Sequence, residues 1–191
     1  MSHTSTAAEA MAAIVRTITP DQLTSPTPCP EFDVRGLVGH LLRWGPSLAG
    51  AGRKVVVPPP ESGVDLTAGD WRGDLLAHLD DLVSAWAPPA AWEGDTRVVG
   101  PTATPARLIG GMVVTELTVH AWDLAAATGQ SPSLDDELLA YLHDEVAGGA
   151  EQARQMGFYG PEVPVPADAP TLDRVLGLTG RDPAWAVVSS L

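Results

Sequence analysis

The sequence contains a single cysteine, Cys29, which excludes an intrachain disulfide and a paired-cysteine metal site. Basic residues are also scarce: 11 Lys+Arg stand against 24 Asp+Glu, which gives a net charge of −13 without any basic run. Because binding to nucleic acid relies on basic clusters that neutralise phosphates, we expect no nucleic-acid partner. No hydrophobic stretch is long enough to span a bilayer, and the N-terminus lacks the basic flank and apolar core of a signal peptide. We therefore expect a cytoplasmic protein without membrane contacts.

What the chain does have is helical periodicity. Hydrophobic residues make up 45% of its 191 residues, enough to bury the core of one domain spanning 1–191. Apolar positions recur at helical spacing in five long segments and one short segment, whereas no alternating pattern predicts a sheet. The predicted helices span 6–18, 34–51, 71–87, 105–129, 134–156 and 172–178.

Particular residues are expected to fix the ends of these helices. Small polar side chains that can accept from free backbone N–H groups precede several of them, and a glycine follows the longest. The predicted end-forming residues are Asp33, Asp70, Thr104 followed by Pro105, the pair Ser133 and Asp136 as a capping box, and Gly129.

Two long proline-rich connections, 19–33 and 52–69, separate the first three helices. Links of that length allow a helix to cross to a non-adjacent position. The predicted fold is all-α: a four-helix bundle with a crossover connection, an additional helix and an irregular C-terminal tail. We expect the bundle to occupy about 5–157 and a proline-rich extension to occupy 158–191.

The candidate site lies in the helix predicted over 105–129, which is nearly all apolar apart from Glu116 and His120. These residues are four apart, so they project side by side from consecutive turns. A buried carboxylate without a partner is costly, so Glu116 either pairs with a histidine or binds a metal ion. His40, on the helix predicted over 34–51, is a third candidate ligand. On the residues alone, a buried Glu–His ion pair and a metal site are equal alternatives.

Two imidazoles and one carboxylate leave a fourth coordination position open, which is typical of catalytic zinc sites. Asp123 follows His120 by three residues and can either orient its imidazole or serve as an ordinary polar residue near the helix end. His78 and His143 are predicted to lie on solvated helix faces, and Cys29 to be a small packed residue.

The segments TPCPEFDVRGLVGHLL and TELTVHAWDLAAATG together resemble the signature segments of the DinB-like superfamily, in its mycothiol-dependent maleylpyruvate isomerase N-terminal branch. The tail segment LDRVLGLTGRDPAW is similar to the closing motif of a metal-binding subgroup of that branch. The resemblance implies a helical bundle that holds a divalent metal, zinc or alternatively nickel, through His40, Glu116 and His120. It also implies a low-molecular-weight thiol as co-substrate, activated as a thiolate on the metal.

Three functional hypotheses follow from this reading. The first is a thiol-dependent transferase or isomerase-like metalloenzyme whose partners are a small-molecule thiol and a small electrophile. The second is a metal-containing binding or stress-response module without turnover, and the third is a metal-free His–Glu–His cluster. A homodimer is compatible with each of them.

Overall fold

A computed structural model describes residues 2–186 of the chain. Within that range the fold is built from α-helices, which confirms the predicted all-α class. The helices are α1 (His3–Thr17), α2 (Val34–Gly52), α3 (Trp71–Trp86), α4 (Ala106–Thr128), α5 (Asp136–Gln155) and α6 (Thr171–Leu178). Two 3-10 turns, Pro20–Thr24 and Pro89–Trp92, lie in the connections. None of the helices in the described range is long and apolar enough to cross a membrane.

The first four helices form a closed bundle in the spatial order α1–α3–α2–α4, in which each helix packs against the next and α4 returns to α1. Consecutive helices α1 and α2 are therefore diagonal, as are α3 and α4. Diagonal neighbours need long connections, and those two pairs are joined by the segments 18–33 and 87–105. The predicted crossover is present, but these two links provide it; the proline-rich segment 53–70 joins the adjacent helices α2 and α3.

Apolar burial inside this ring supplies the main stabilisation. Large side chains from all four helices are almost completely inaccessible, and each contributes about 1.5–3 kcal/mol when it leaves water. The fully buried set includes Met11, Leu37, Leu75, Trp86, Leu117 and Leu124. Helix α5 covers α4 and α1 from outside through Leu138 and Leu142, and α6 packs on α5.

Several predicted helix ends are confirmed. The carboxylate of Asp33 accepts from the Gly36 N–H at 2.7 Å, and the Asp70 carboxylate accepts from the Gly73 N–H at 3.1 Å. Gly129 ends α4 in the left-handed conformation with φ of 70°. Because Asp33 starts α2, it fixes the first turn of the helix that carries His40.

Two predicted N-termini are wrong. Thr104 does not cap α4, because Thr104–Pro105 forms a short strand, β2, paired antiparallel with β1 (Asp95–Thr96). Pro105 is extended there, and proline is tolerated on such an edge strand. This two-strand ribbon was not predicted, because two residues are too few to establish an alternating pattern.

The capping box predicted from Ser133 and Asp136 is also wrong. Helix α5 begins two residues later than the apolar pattern indicated, and its N-cap is Asp135. The Asp135 carboxylate accepts from the Leu138 N–H at 2.8 Å. A carboxylate satisfies the free N–H and also interacts favourably with the positive end of the helix dipole, which a hydroxyl does not.

Candidate metal centre

Helix α4 runs through the middle of the molecule, packed by α1 on one side, α2 on another and α5 outside. That position explains why it is apolar around most of its circumference, with buried residues from Ala106 to Ala127. Glu116 and His120 face α2 from consecutive turns of this helix. Their side chains are 26% and 9% exposed, so the pair lies at the edge of the core.

His40 comes from the middle of α2 and meets this pair. The Nε2–H of His40 donates to Oε1 of Glu116 at 2.5 Å, and Nε2 of His120 lies 3.5 Å from the same oxygen. The two imidazole rings are edge to face, with centroids 5.4 Å apart. The structure therefore brings the three predicted ligands together, and their donor atoms all lie within 4.8 Å of one another. That they bind a metal stays a prediction.

The charged groups around Glu116 strongly favour the ionised form of its carboxylate. Burial by itself raises the pKa of Glu116, but the positive charge of His120, the hydrogen bond from His40 and the nearby Arg181 outweigh burial and lower this pKa to about 2. A carboxylate that stays ionised is available as a metal ligand throughout the physiological range.

His120 is held from its other ring nitrogen. Its Nδ1–H donates to Oδ2 of Asp123 at 2.8 Å, and Asp123 is completely buried. Burial lowers the pKa of His120, but Glu116 and Asp123 together more than offset it, so that the pKa is raised overall. Of the two roles considered for Asp123, the structure has the one in which it orients the imidazole. Because Nδ1 is committed to Asp123, Nε2 is the nitrogen presented to Glu116 and His40.

The donor set fits a small divalent ion. Bonds of about 2.0–2.2 Å at tetrahedral angles place neighbouring ligand atoms about 3.4 Å apart. The 3.5 Å separation of Glu116 Oε1 and His120 Nε2 already meets that requirement. The 2.5 Å contact of His40 with Glu116 is a hydrogen bond, and it must lengthen by about 1 Å to admit an ion. His40 is the more exposed of the two imidazoles, 24% against 9% for His120.

An open groove of about 420 Å³ leads to His40 along α2. One wall is α2 itself, which is lined there by the half-buried glycines Gly36 and Gly39, and the other is the link between α2 and α3. The lining residues that matter below are Phe32, Arg35, Gly39, Arg43, Trp44 and Leu66.

The two arginines of the groove hold its outer wall. Nη1 of Arg43 donates to the carbonyl oxygens of Pro60 and Glu61 at 2.6 and 3.1 Å. Nη1 of Arg35 donates to Oγ1 of Thr67 at 3.0 Å. These contacts fix the long connection against α2 and so define the width of the groove beside His40.

Sequence reasoning missed two site residues, Arg181 and Tyr159. Arg181 is buried and donates to both carboxylate oxygens of Asp123. Burial raises the pKa of Tyr159; Arg181 lowers it and Glu116 raises it again, so its phenol also lies within the field of the site. Both residues come from the C-terminal extension, where the tail segment LDRVLGLTGRDPAW contains Arg181 but not Tyr159.

The remaining candidates are placed away from the three ligands or in supporting roles. Cys29 is buried, as expected for a packed residue, and burial raises the pKa of its thiol. The solvated faces predicted for His78 and His143 are wrong, because both are half-buried. The His78 ring packs against Gly45 of α2, and Nε2 of His143 lies 3.2 Å from an Arg174 nitrogen.

Comparison with known proteins identifies the family of this chain. The family model described as Mycothiol maleylpyruvate isomerase N-terminal domain matches residues 4–125, a range that contains all three ligand candidates. The chain belongs to this family, which confirms the resemblance inferred from its motifs.

Two Mycobacterium tuberculosis proteins are similar over nearly the whole chain. They are Uncharacterized protein Rv0738 (strain ATCC 25618 / H37Rv) and Uncharacterized protein MT0763 (strain CDC 1551 / Oshkosh). Each is 31% identical over 182 residues, which covers 92% of this chain and 93% of the relative. No solved structure gives a significant match.

Proposed function

We propose that this chain binds a divalent cation, zinc in the first instance, through His40, Glu116 and His120, and uses it with a low-molecular-weight thiol to modify a small electrophile. The observation that carries the proposal is the convergence of three donor atoms on one point at the edge of the core, where one of the three residues, His40, also lines an open groove. Three protein ligands with one free position are typical of catalytic zinc sites.

A bound divalent cation would lower the pKa of a coordinated thiol, so that the thiol is held as a thiolate near neutral pH. The chain's own residues supply the rest. Glu116 provides the negative charge of the donor set, His120 is fixed by Asp123, and His40 borders the groove. In S-transfer, the sulfur electron pair forms the new S–C bond, the thiol proton is released to solvent, and the electrophile's leaving group departs or its carbon takes up a proton.

The groove beside His40 suits an elongated thiol. Phe32, Trp44 and Leu66 offer apolar surface, while Arg35, Arg43 and Thr67 line it with polar side chains. Membership of the mycothiol isomerase family supports a thiol of the mycothiol type as the co-substrate. Isomerisation and S-transfer are both compatible with this arrangement, because each begins with attack of a thiolate on the electrophile.

Metal binding is tested by elemental analysis of protein purified without a metal-affinity tag. Thiol binding is then tested on the cobalt-substituted protein with N-acetylcysteine and mycothiol as probes. We expect a sulfur-to-metal charge-transfer band on addition of either thiol. A flat response to both thiols, in a protein whose cobalt spectrum still responds to azide, would contradict the thiol part of the proposal and favour the binding module.

The groove offers a matched pair of variants for the same assay. A side chain at Gly39 would enter the groove, since its Cβ meets no atom within 4 Å, whereas Gly148 of α5 is equally open but remote from the site. Gly39→Leu should weaken thiol binding at least tenfold while retaining metal, and Gly148→Leu should leave both unchanged. Equal thiol affinity in the two variants would show that the thiol does not approach along α2.

Turnover is a separate measurement. The zinc-loaded protein is incubated with thiol and a panel of small electrophiles, namely epoxides, Michael acceptors and alkyl halides, and thiol consumption is followed. We expect the protein to consume thiol, and we expect this thiol consumption to disappear in the Gly39→Leu variant and in metal-free protein. A protein that binds metal and thiol yet consumes no thiol above the uncatalysed rate belongs to the non-catalytic class.

A further inference from the structure

The residue that completes the centre lies far from the ligands in sequence. Arg181 follows α6 and is separated from Asp123 by 58 positions, yet its guanidinium is buried directly against that carboxylate. Its Nη2 donates to Oδ2 of Asp123 at 3.1 Å and its Nε to Oδ1 at 3.4 Å, so one edge of the guanidinium faces both carboxylate oxygens. Such two-point pairs fix the orientation of a carboxylate as well as its position.

The local backbone aims Arg181 at this carboxylate. Gly180 has a φ of 83°, a left-handed conformation that turns the chain sharply after α6, and the Arg181 N–H donates to the Leu176 carbonyl at 2.8 Å. A Cβ at Gly180 would lie only 2.8 Å from the Gly160 backbone, so the two glycines allow the close approach of two tail segments. The Arg181 side chain is further fixed by donating Nη1 to the Thr179 carbonyl at 2.9 Å.

Oδ2 of Asp123 accepts from Arg181 and from Nδ1 of His120 at the same time. Three groups thus form a continuous buried line, Arg181–Asp123–His120, that ends at the imidazole Nε2 facing Glu116. Rotation of the Asp123 carboxylate would break its bond to the ring and free His120 to turn or to change tautomer.

We propose, on the basis of the proposed metal centre, that Arg181 is a positioning residue of this centre. Through Asp123, Arg181 sets the ring orientation and the tautomer of His120. The C-terminal extension therefore belongs to the site, although the ligands and Asp123 all lie within the matched range 4–125. Docking of the extension and metal affinity are coupled by this one side chain.

The test compares Arg181→Met with Arg154→Met. Arg154 is a suitable control because it also holds the extension, donating to the Leu178 carbonyl at 2.9 Å and to Glu162 at 3.2 Å, but it makes no contact with Asp123. Zinc affinity is measured by competition with a chromophoric chelator. We expect a 10–100-fold loss in Arg181→Met, as is typical when the partner that orients a ligand is removed. Arg154→Met should lose less than about threefold if loosening of the extension is not the cause.

A second readout does not depend on metal. Nitrogen-15 NMR of the neutral His120 ring in metal-free protein reports which nitrogen carries the proton. We expect a single Nδ1–H tautomer in the wild-type protein and in Arg154→Met, and a mixture in Arg181→Met. The proposal would be overturned if Arg181→Met kept both the Nδ1–H tautomer and the zinc affinity of the wild type. It would also be overturned if Arg154→Met lost as much zinc affinity as Arg181→Met.

Should Arg181→Met fail to fold, Arg181→Lys keeps the compensating charge but not the two-point geometry, and the same two measurements apply to it. A His120 spectrum and zinc affinity identical to those of the wild type in Arg181→Lys would overturn the positioning role. Failure of the proposed function would look different. In that case the wild-type protein itself would bind no zinc, while the tautomer measurement would still report whether Arg181 sets the orientation and tautomer of His120.

Discussion

Replacing Glu116 by Gln in metal-free protein should destabilise the fold in a pH-dependent manner. The substitution preserves the shape of the side chain but removes the negative charge from between His40 and His120. Oε1 of Glu116 lies 2.5 Å from one imidazole nitrogen and 3.5 Å from the other. Without a metal ion, this carboxylate contacts both rings and balances positive charge on them, together with Asp123 on the other side of His120.

The size of the effect follows from the pKa of Glu116, which is lowered from 4.5 to about 2 by His120 first and then by His40 and Arg181, against the opposing effect of burial. At about 1.4 kcal/mol per pKa unit, the difference corresponds to about 3 kcal/mol of favourable interaction with the ionised carboxylate. The side chain is 26% exposed, so solvent screens part of this interaction. We expect Glu116→Gln to lower the free energy of unfolding by about 1–3 kcal/mol at its maximum.

The maximum falls in a defined pH window. Glu116 has a lowered folded-state pKa, so its contribution is present above pH 4.5 and lost as pH falls towards 2. His120 has a raised folded-state pKa, so its contribution is complete below 6.5 and lost as pH rises through the folded value. Both groups are charged between these limits, and the loss caused by Glu116→Gln should be largest there and shrink towards pH 9.

Urea unfolding with excess chelator at pH 5.5, 7 and 9 measures this dependence. Glu145→Gln is the matched control: Glu145 pairs at 3.3 Å with Arg107, whose side chain is 71% exposed and stays charged at every pH tested. That variant should lose less than about 1 kcal/mol and show no trend between pH 5.5 and 9. A loss in Glu116→Gln that is the same at pH 5.5 and pH 9 would refute the electrostatic reasoning.

Three further predictions concern the metal and the packing of glycines. Removing the metal should lower the melting temperature by about 5–10 °C relative to wild-type protein with free metal at 100 times Kd, since binding at that concentration adds about 2.7 kcal/mol to the free energy of unfolding. An unchanged calorimetric transition after verified removal would contradict this prediction. Glu116→Gln should lose metal on dialysis, and full retention by elemental analysis would place the carboxylate outside the ligand set. Gly39→Ala should raise the free energy of unfolding by about 0.5–1 kcal/mol because its Cβ meets nothing, whereas Gly110→Ala should lower it by about 1–3 kcal/mol because its Cβ would overlap the Trp92 ring. Urea unfolding of both decides this last point, and a stabilised Gly110→Ala would contradict the packing described.

The fold was predictable from sequence wherever a single periodicity was sustained. The six helices follow the apolar spacing to within a few residues, because burial of one face determines both the element and its length. The errors lie at helix N-termini, where several polar residues compete. Thr104 was drawn into a strand by its pairing with Thr96, and Asp135 replaced Ser133 because the helix starts later. Such choices depend on tertiary contacts that local sequence does not encode.

The site was predictable to the extent that it is local. Glu116 and His120 are four residues apart on a helix otherwise buried, so their incompatibility with an apolar environment marks them without any alignment. His40 was a third candidate ligand from its residue type alone, but a lone histidine on an amphipathic helix predicts nothing specific, so it was the family resemblance that favoured a metal site over an ion pair. Arg181 was missed because its function depends on a contact across 58 positions and on a turn at Gly180, and neither leaves a periodic pattern.

The centre has a fixed side and an open side, and this asymmetry decides how a ligand can reach it. His120 is 9% exposed and held by Asp123 and Arg181, so nothing enters from that direction without breaking buried charged contacts. Asp123 is not placed to replace Glu116 as a ligand, because it contacts Nδ1 of His120 while the other donors gather at Nε2. His40 is 24% exposed and borders the groove along α2. We therefore expect a fourth ligand of a bound ion to approach along the groove beside His40, which is bordered by the link that Arg35 and Arg43 hold against the helix.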